Sequence, residues 1–317
     1  MKRFLRVLCM GFLGVLLVSA GAHARERSSS PGELYVPRGP GLFAVIPLRY
    51  QMLYGPGIVV WNSPEEIIAL LVSEKAQCAL LPITLGAAIH QKGFPLILLG
   101  VTQWDLFSFL LPSGESIASL KELDEKSLYL PFGRGTTADV LIRTSLRKAG
   151  IVPDVNVRLL YAPPQEVVGL LGAGKARYAV LPEPFATLAL SKGKTEKAFP
   201  LRRLWQDEMG EDAHFPVTGL FVSRKSFEAD PDSFREMERQ YLLSLKWAES
   251  HLSQAADLLH QDIPLPQRVL EEAMKECNFT YRSGASASRE VLAFFEYLCS
   301  NSPESCEGVP EKGFFSP

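Results

Sequence analysis

Short unbroken apolar runs alternate with amphipathic stretches along most of this chain. Cys78–Leu81, Phe94–Val101 and Tyr178–Leu181 are apolar at nearly every position and bounded by Pro or Gly, which predicts buried strands. Between such runs stand helix starts. Ser63-Pro64-Glu65-Glu66 supplies a cap, a proline at the first helical position and acids in the first turn, and Ile67, Leu70 and Leu71 form the buried face behind it. Further expected strands are Leu34–Pro37, Ile58–Trp61, Phe107–Leu111, Ser127–Pro131, Val155–Tyr161, Leu201–Trp205 and Gly219–Val222. Expected helices are Leu42–Leu53, kinked or started late by Pro47, then Leu85–Gln91, Ile117–Leu123, Ala138–Ala149, Pro164–Leu171 and Pro184–Ser191. From Pro231 the pattern is helical through His260, and again over Pro266–Glu276 and Ser288–Cys299. Strands that are apolar throughout and alternate with helices predict an α/β fold whose parallel sheet is covered on both faces.

Part of this pattern occurs twice. Residues 64–82, PEEIIALLVSEKAQCALLP, align without a gap to residues 164–182, PQEVVGLLGAGKARYAVLP. Pro64/Pro164, Glu66/Glu166, Leu70/Leu170, Leu71/Leu171, Lys75/Lys175, Ala76/Ala176, Ala79/Ala179, Leu81/Leu181 and Pro82/Pro182 are identical. One supersecondary unit used twice accounts for this echo, although any two amphipathic helix–strand units share some likeness. The echo continues loosely, Phe94-Pro95-Leu96 with Phe199-Pro200-Leu201, and Phe109–Ser113 with Gly219–Ser223. Two similar lobes follow from it: residues 33–105 with 219–317, and residues 112–213, joined by crossovers at 106–111 and 214–218. A cleft between two such lobes is a favoured place for a ligand.

Composition narrows the function. The chain has 317 residues, 47% hydrophobic, with a formal net charge of −2 and its Lys and Arg scattered, which gives no footprint for nucleic acid. Lys2, Arg3 and Arg6 precede the apolar run Val7–Val18, and Ala22-His23-Ala24 offers small residues at a cleavage site. The run falls short of the ~20 residues that span a bilayer. A signal peptide over residues 1–24, cleaved after Ala24, is therefore expected, with a soluble, exported product. Of the remaining cysteines, Cys299 and Cys306 flank a short polar segment and can bridge in an oxidising compartment, whereas Cys78 sits in an apolar strand. No Cys/His spacing suggests a metal, and no triad or phosphate-binding loop suggests catalysis, so neither metal, cofactor nor enzymatic activity is expected.

The signal peptide, the segment GTTADVLIRTSLRKAGI, the strand–helix GLLGAGKARYAVLPEPFATL and the terminal GVPEKGFF together resemble the solute-binding proteins of ABC importers. They are most similar to the nitrate/sulfonate/taurine and thiamine-precursor branch, over about Leu34 to Phe315. Arg177-Tyr178-Ala179 and Gln77-Cys78-Ala79 lack the aspartate that the branch carries before Glu-Pro. The resemblance implies a type II periplasmic-binding fold, two α/β lobes with a ligand cleft between them. It also implies a periplasmic monomer that captures a small nutrient and presents it to a permease driven by an ATPase. Two alternatives share the fold: an enzyme similar to menaquinone-pathway dehydratases or pyrimidine-forming thiamine synthases, and a sensory protein docking on a receptor.

In such a fold, ligands meet loops at the carboxyl ends of strands, where helix N-termini present free N–H groups. That nominates Arg38 and Phe43 after the first strand, with Arg38 facing an anion or simply solvent. Thr84 offers a hydroxyl or a helix cap, and Trp104 offers a stacking platform or hinge packing. Arg134, Thr136 and Thr137 lie in a glycine-bearing loop that forms an anion cradle or merely caps the next helix. Glu183 could bind an amine or a ring N–H, or favour the following helix through its dipole, and it replaces Ile83 of the first copy. Thr218 lies at the returning crossover. Sulfonates or nitrate would call on Arg38, Arg134 and helix N-termini; a thiamine precursor or other heteroaromatic ligand would call on Trp104 and Glu183, the set the sequence favours.

Overall fold

The computed structural model describes residues 32–316. The expected signal peptide and its cleavage after Ala24 lie outside these residues. No helix among the described residues is long and apolar enough to cross a membrane.

The chain opens with β1 (Glu33–Pro37), a 3-10 turn over Pro40–Val45 that runs into α1 (Ile46–Arg49), and β2 (Gly57–Trp61). The single helix expected over Leu42–Leu53 is thus broken and ends early. Pro40 and Pro47 each sit at the start of one of the two pieces, where a missing N–H costs nothing. Next come α2 (Pro64–Val72), β3 (Cys78–Pro82), α3 (Ile83–Gln91) and β4 (Leu96–Trp104). Ser63 caps α2 by accepting the Glu66 N–H. Replacing Ser63 with alanine is expected to lower the unfolding free energy by about 1 kcal/mol in urea titrations.

The middle of the chain is β5 (Phe107–Pro112), β6 (Ser127–Pro131), α4 (Thr137–Lys148), β7 (Arg158–Ala162), α5 (Pro164–Gly172), β8 (Tyr178–Pro182), α6 (Phe185–Ser191) and β9 (Thr195–Pro200). Then follow α7 (Arg202–Met209), β10 (Pro216–Ser223), α8 (Arg224–Ala229), α9 (Pro231–Ser250), α10 (Leu252–Asp262), α11 (Gln267–Glu276), β11 (Arg282–Ser283) and α12 (Gly284–Asn301). Two expectations change here. The helix expected over Ile117–Leu123 is only a 3-10 turn at Leu120–Leu123. Leu201–Trp205 belongs to a helix and not a strand; the strand is β9 just before it, an edge strand whose polar Glu196 and Lys197 hide it in a hydrophobic scan.

The strands form two sheets, ordered β11-β4-β10-β3-β1-β2 and β7-β6-β8-β5-β9. Read from β2 and from β7, both start with three parallel strands, continue with an antiparallel one and end on another edge. The sheets are therefore mixed, not purely parallel as expected. The reason is an exchange: β5, made just after the first sheet, pairs antiparallel with β8, and β10, made after the second sheet, pairs antiparallel with β3. Gly219 sits opposite Leu81 as Ser108 sits opposite Leu181, so the equivalence is one residue off the loose alignment of Phe109 with Gly219.

One apolar core passes through both sheets by way of Trp104, Leu106, Phe107, Phe215, Trp205 and Phe294. A second core lies between the first sheet and α9–α11, and a third lies under α5 and α6. Cys78 is buried in the second core, and Cys299 is bonded to Cys306 at the end of α12.

Candidate functional site

The loop after β1 holds Arg38 and Phe43, and both are already engaged within the first lobe. Arg38 donates from Nε to Asn62 Oδ1 and from Nη1 to the Asp262 carbonyl, each at 2.7 Å. Phe43 is buried, with its ring centroid 5.2 Å from that of Phe279. Thr84 is half-buried in the first turn of α3, which is capped by Pro82 and begins at Ile83, so Thr84 does not cap it.

The glycine loop after β6 is drawn inward by an acid. Asp139, fully buried in the first turn of α4, accepts the Gly135 N–H at 2.8 Å. Asp139 in turn takes the Arg143 Nε at 2.7 Å and the Tyr161 hydroxyl at 2.6 Å, and Arg143 Nη1 reaches Asp154 at 2.8 Å. Arg134 points to the same Asp154, 3.7 Å away, with most of its side chain in solvent. Thr136, not Thr137, is the residue before the helix; its hydroxyl donates to the Gly133 carbonyl at 2.8 Å, and Thr137 is the first helical residue. A carboxylate therefore already occupies part of the anion cradle, paired with the Arg143 guanidinium. Phe132, overlooked in the sequence, stands exposed beside this loop with a left-handed φ of 64°, a conformation that costs energy for a bulky side chain.

Trp104 is not a stacking platform. It is fully buried, its Nε1 donates to the Thr280 carbonyl at 2.7 Å, and the Arg282 guanidinium lies 4.7 Å above its ring. Its backbone N–H donates to Asn278, so the segment after α11 is pinned to the crossover. The next residue, Asp105, ties the two passages between lobes together. It is paired with His214, accepts the Phe215 N–H at 3.0 Å and sits 3.9 Å from Arg202.

Near these passages stand further buried polar side chains. Thr102 Oγ1 donates to the Thr218 carbonyl at 3.1 Å, and Thr218 Oγ1 donates to Gln103 Oε1 at 3.1 Å. From the second lobe comes Glu183, joined to Pro184 by a cis peptide bond and 2% exposed. Its Oε2 accepts the Thr187 N–H at 3.2 Å, while Oε1 has no hydrogen-bond partner among the described residues. Burial pushes the Glu183 carboxyl up to about 7, and the Glu276 charge adds to the rise, against the Thr187 bonds and the Lys197 charge. Cys277, just past the end of α11, is half-buried. Burial holds its thiol well above the ordinary range, the Glu183 charge adds to this, and the Gln103 side chain opposes it. Lys197 and Glu276 form an ion pair between β9 and the end of α11. A void of about 10 Å³ lies next to Cys277, lined also by Phe43, Pro184, Met274 and Phe279.

The nominated residues thus fall into separate groups. Trp104, Thr218 and Glu183 lie near the chain passages between the two sheets; Arg134, Thr136 and Thr137 stay on the glycine loop; Arg38, Phe43 and Thr84 lie on loops of the first sheet. Gln103 and Cys277 were missed, since neither belongs to a motif and Cys277 arrives from far along the chain.

Residues 113–259 match the NMT1-like family. Curated proteins gave no match. Among solved structures, an ABC transporter protein from Parabacteroides distasonis is 23% identical with a TM-score of 0.74, the alignment covering 90% of this chain and 98% of that one. The periplasmic aliphatic sulphonate binding protein SsuA from Escherichia coli is 12% identical with a TM-score of 0.74, covering 90% and 92%. The periplasmic nitrate-binding protein NrtA from Synechocystis PCC 6803 is 13% identical with a TM-score of 0.62, covering 86% and 83%. The chain has the two-lobe α/β fold of ABC-importer periplasmic binding proteins, in agreement with the resemblance read from its sequence, and over residues 113–259 it matches the NMT1-like family.

Proposed function

We propose that this protein is an extracytoplasmic solute-binding protein, exported by its N-terminal segment, that captures a small nutrient and delivers it to the permease of an ABC importer. The lobes, residues 33–105 with 219–317 and residues 112–213, close on the ligand about the crossovers at 106–111 and 214–218. Closure follows from contacts the ligand makes with both lobes at once, which the open form cannot offer. Binding, not catalysis, is the activity, and the permease with its ATPase is the partner.

The ligand is a neutral or cationic heteroaromatic compound, such as a thiamine precursor, in preference to a sulfonate. One observation carries this choice: a buried carboxyl oxygen of Glu183, whose backbone N–H bonds to Leu106 between β4 and β5, is left without a partner among the described residues. An anion placed there would face that carboxylate. At the glycine loop it would meet Asp139, which already holds the Gly135 N–H. Native mass spectrometry of protein isolated without refolding tests the reading. A retained planar nitrogen compound is expected; a retained sulfonate or other oxyanion would overturn the ligand class.

A further inference from the structure

The end of the chain returns to where α12 began. A Cβ added to Gly284, the first residue of α12, would lie 2.3 Å from the Leu98 carbonyl oxygen and 3.0 Å from Ser316 Oγ, so only glycine lets the three segments meet. The Ser316 N–H donates to that same Leu98 carbonyl at 3.0 Å, and Phe315 pairs with Leu98 in parallel. Leu98 pairs with Phe221 of β10 on its other side, so Phe315 covers the outer edge of β4, in line with β11 at Gly100 and Val101. The approach to that point, residues 302–316, is fastened to the first sheet and its helices. Gln91 Nε2 donates to the Gly308 carbonyl at 2.6 Å, Lys92 pairs with Glu307 at 3.1 Å, and Arg224 donates to the Gly313 carbonyl. Phe314 is fully buried in the main core, its ring 5.2 Å from that of His90 and 5.7 Å from that of Phe221. The disulfide between Cys299 and Cys306 ties the start of this segment to the last turn of α12.

We propose that residues 302–316 form a redox-controlled strap, which the Cys299–Cys306 disulfide holds on the edge of the first sheet and which reduction of that bond releases. The other fastenings are modest: the Phe314 anchor, a few backbone carbonyls, and the exposed Lys92–Glu307 pair, of a kind worth little. The disulfide closes a short loop and so removes much of the freedom that the segment gains on leaving the sheet. Without it the strap opens by local unfolding while the rest of the sheet stays formed. Closing the bond passes two electrons and two protons from the Cys299 and Cys306 thiols to a disulfide oxidant, whose own sulfur–sulfur bond becomes two thiols; a dithiol runs the exchange backwards. Disulfides persist in oxidising compartments, so a chain exported as proposed above closes its strap after leaving a reducing one. The strap itself depends neither on that reading nor on any ligand. Its release uncovers the β4 edge at Leu98 and the Phe221 ring, a surface open to pairing with another chain.

Hydrogen exchange read by mass spectrometry tests the strap on residues 25–317, oxidised and after treatment with dithiothreitol, and on the Cys299→Ser, Cys306→Ser double variant. Cys78 and Cys277 are free, so among the described residues the reductant has no other bond to break. Over residues 302–316 the reduced wild type and the double variant are each expected to exchange about tenfold or more faster than the oxidised wild type, with β1 and β6 unchanged. Chymotrypsin should then cleave at Phe314 in the reduced chain and not in the oxidised one. If the double variant does not fold, the reduced wild type carries the test alone. Equal exchange over residues 302–316 before and after reduction would overturn the strap. The same increase in β1 and β6 would overturn it too, since the bond would then support the whole fold. So would thiol labelling that finds Cys299 and Cys306 free in protein prepared under oxidising conditions. None of these outcomes alters the solute-binding reading.

Discussion

Trp104→Ala is expected to lower the unfolding free energy by about 3–5 kcal/mol in chemical denaturation, the range for emptying a large buried aromatic site. The ring is fully buried in the core that joins the two sheets, so little around it can relax into the space. The substitution also removes the donor to Thr280 and leaves Arg282 without the ring face it rests on. Both partners belong to the segment from Asn278 to Ser283, which returns to the first sheet as β11. Trp104→Phe should cost less, because it keeps most of the volume and loses the one hydrogen bond. A loss under about 1 kcal/mol for the alanine variant would mean that the ring does not anchor that segment.

The second large effect depends on pH. Glu183 has an ordinary value of 4.5 and is raised to about 7 in the fold. Below about 4.5 the carboxyl is protonated whether the chain is folded or not, and it costs nothing. Between 4.5 and 7 the unfolded chain releases the proton while the folded one keeps it, so folding becomes progressively less favourable as pH rises. Above 7 the penalty is complete and amounts to about 3 kcal/mol, the energy equivalent of that gap. Glu183→Gln removes the penalty. The variant should therefore melt several degrees above wild type at pH 8, with the advantage shrinking through neutrality and vanishing near pH 4. Calorimetric melting curves across this range check it, and a difference between the two proteins that stays constant from pH 4 to 9 would rule it out.

The duplicated unit was plain in the sequence because buried parallel strands are written as short apolar runs and helix starts carry their own caps. Ser63 and Cys78 did in the fold what their neighbours predicted. Strand partners were harder, since nothing near Gly219 records that it pairs with Leu81 and not with a strand of its own neighbourhood. Edge strand β9 was lost for a local reason: with one face open, Glu196 and Lys197 dilute its pattern, and the apolar Leu201 and Leu204 next to it drew the assignment forward. The site divided along the same line. Glu183 was visible as the point where the two copies part, but the fate of Trp104 depended on Asn278, Thr280 and Arg282, more than 170 positions away. Gln103 was overlooked because its bond to Thr218, 115 positions away, leaves no trace in the residues around it.

The exchange of strands between lobes also sets an order on assembly during synthesis. The second sheet draws all five strands from the continuous stretch between Phe107 and Pro200, so it can be completed as that stretch emerges. The first sheet cannot. Its strands β3 and β4 are finished by Trp104, yet the strand that belongs between them, β10, ends only at Ser223. Until then two highly apolar strands stand with bare edges, waiting for a partner more than a hundred residues downstream. That interval, and not the finished molecule, is when the chain is most open to pairing with the wrong edge.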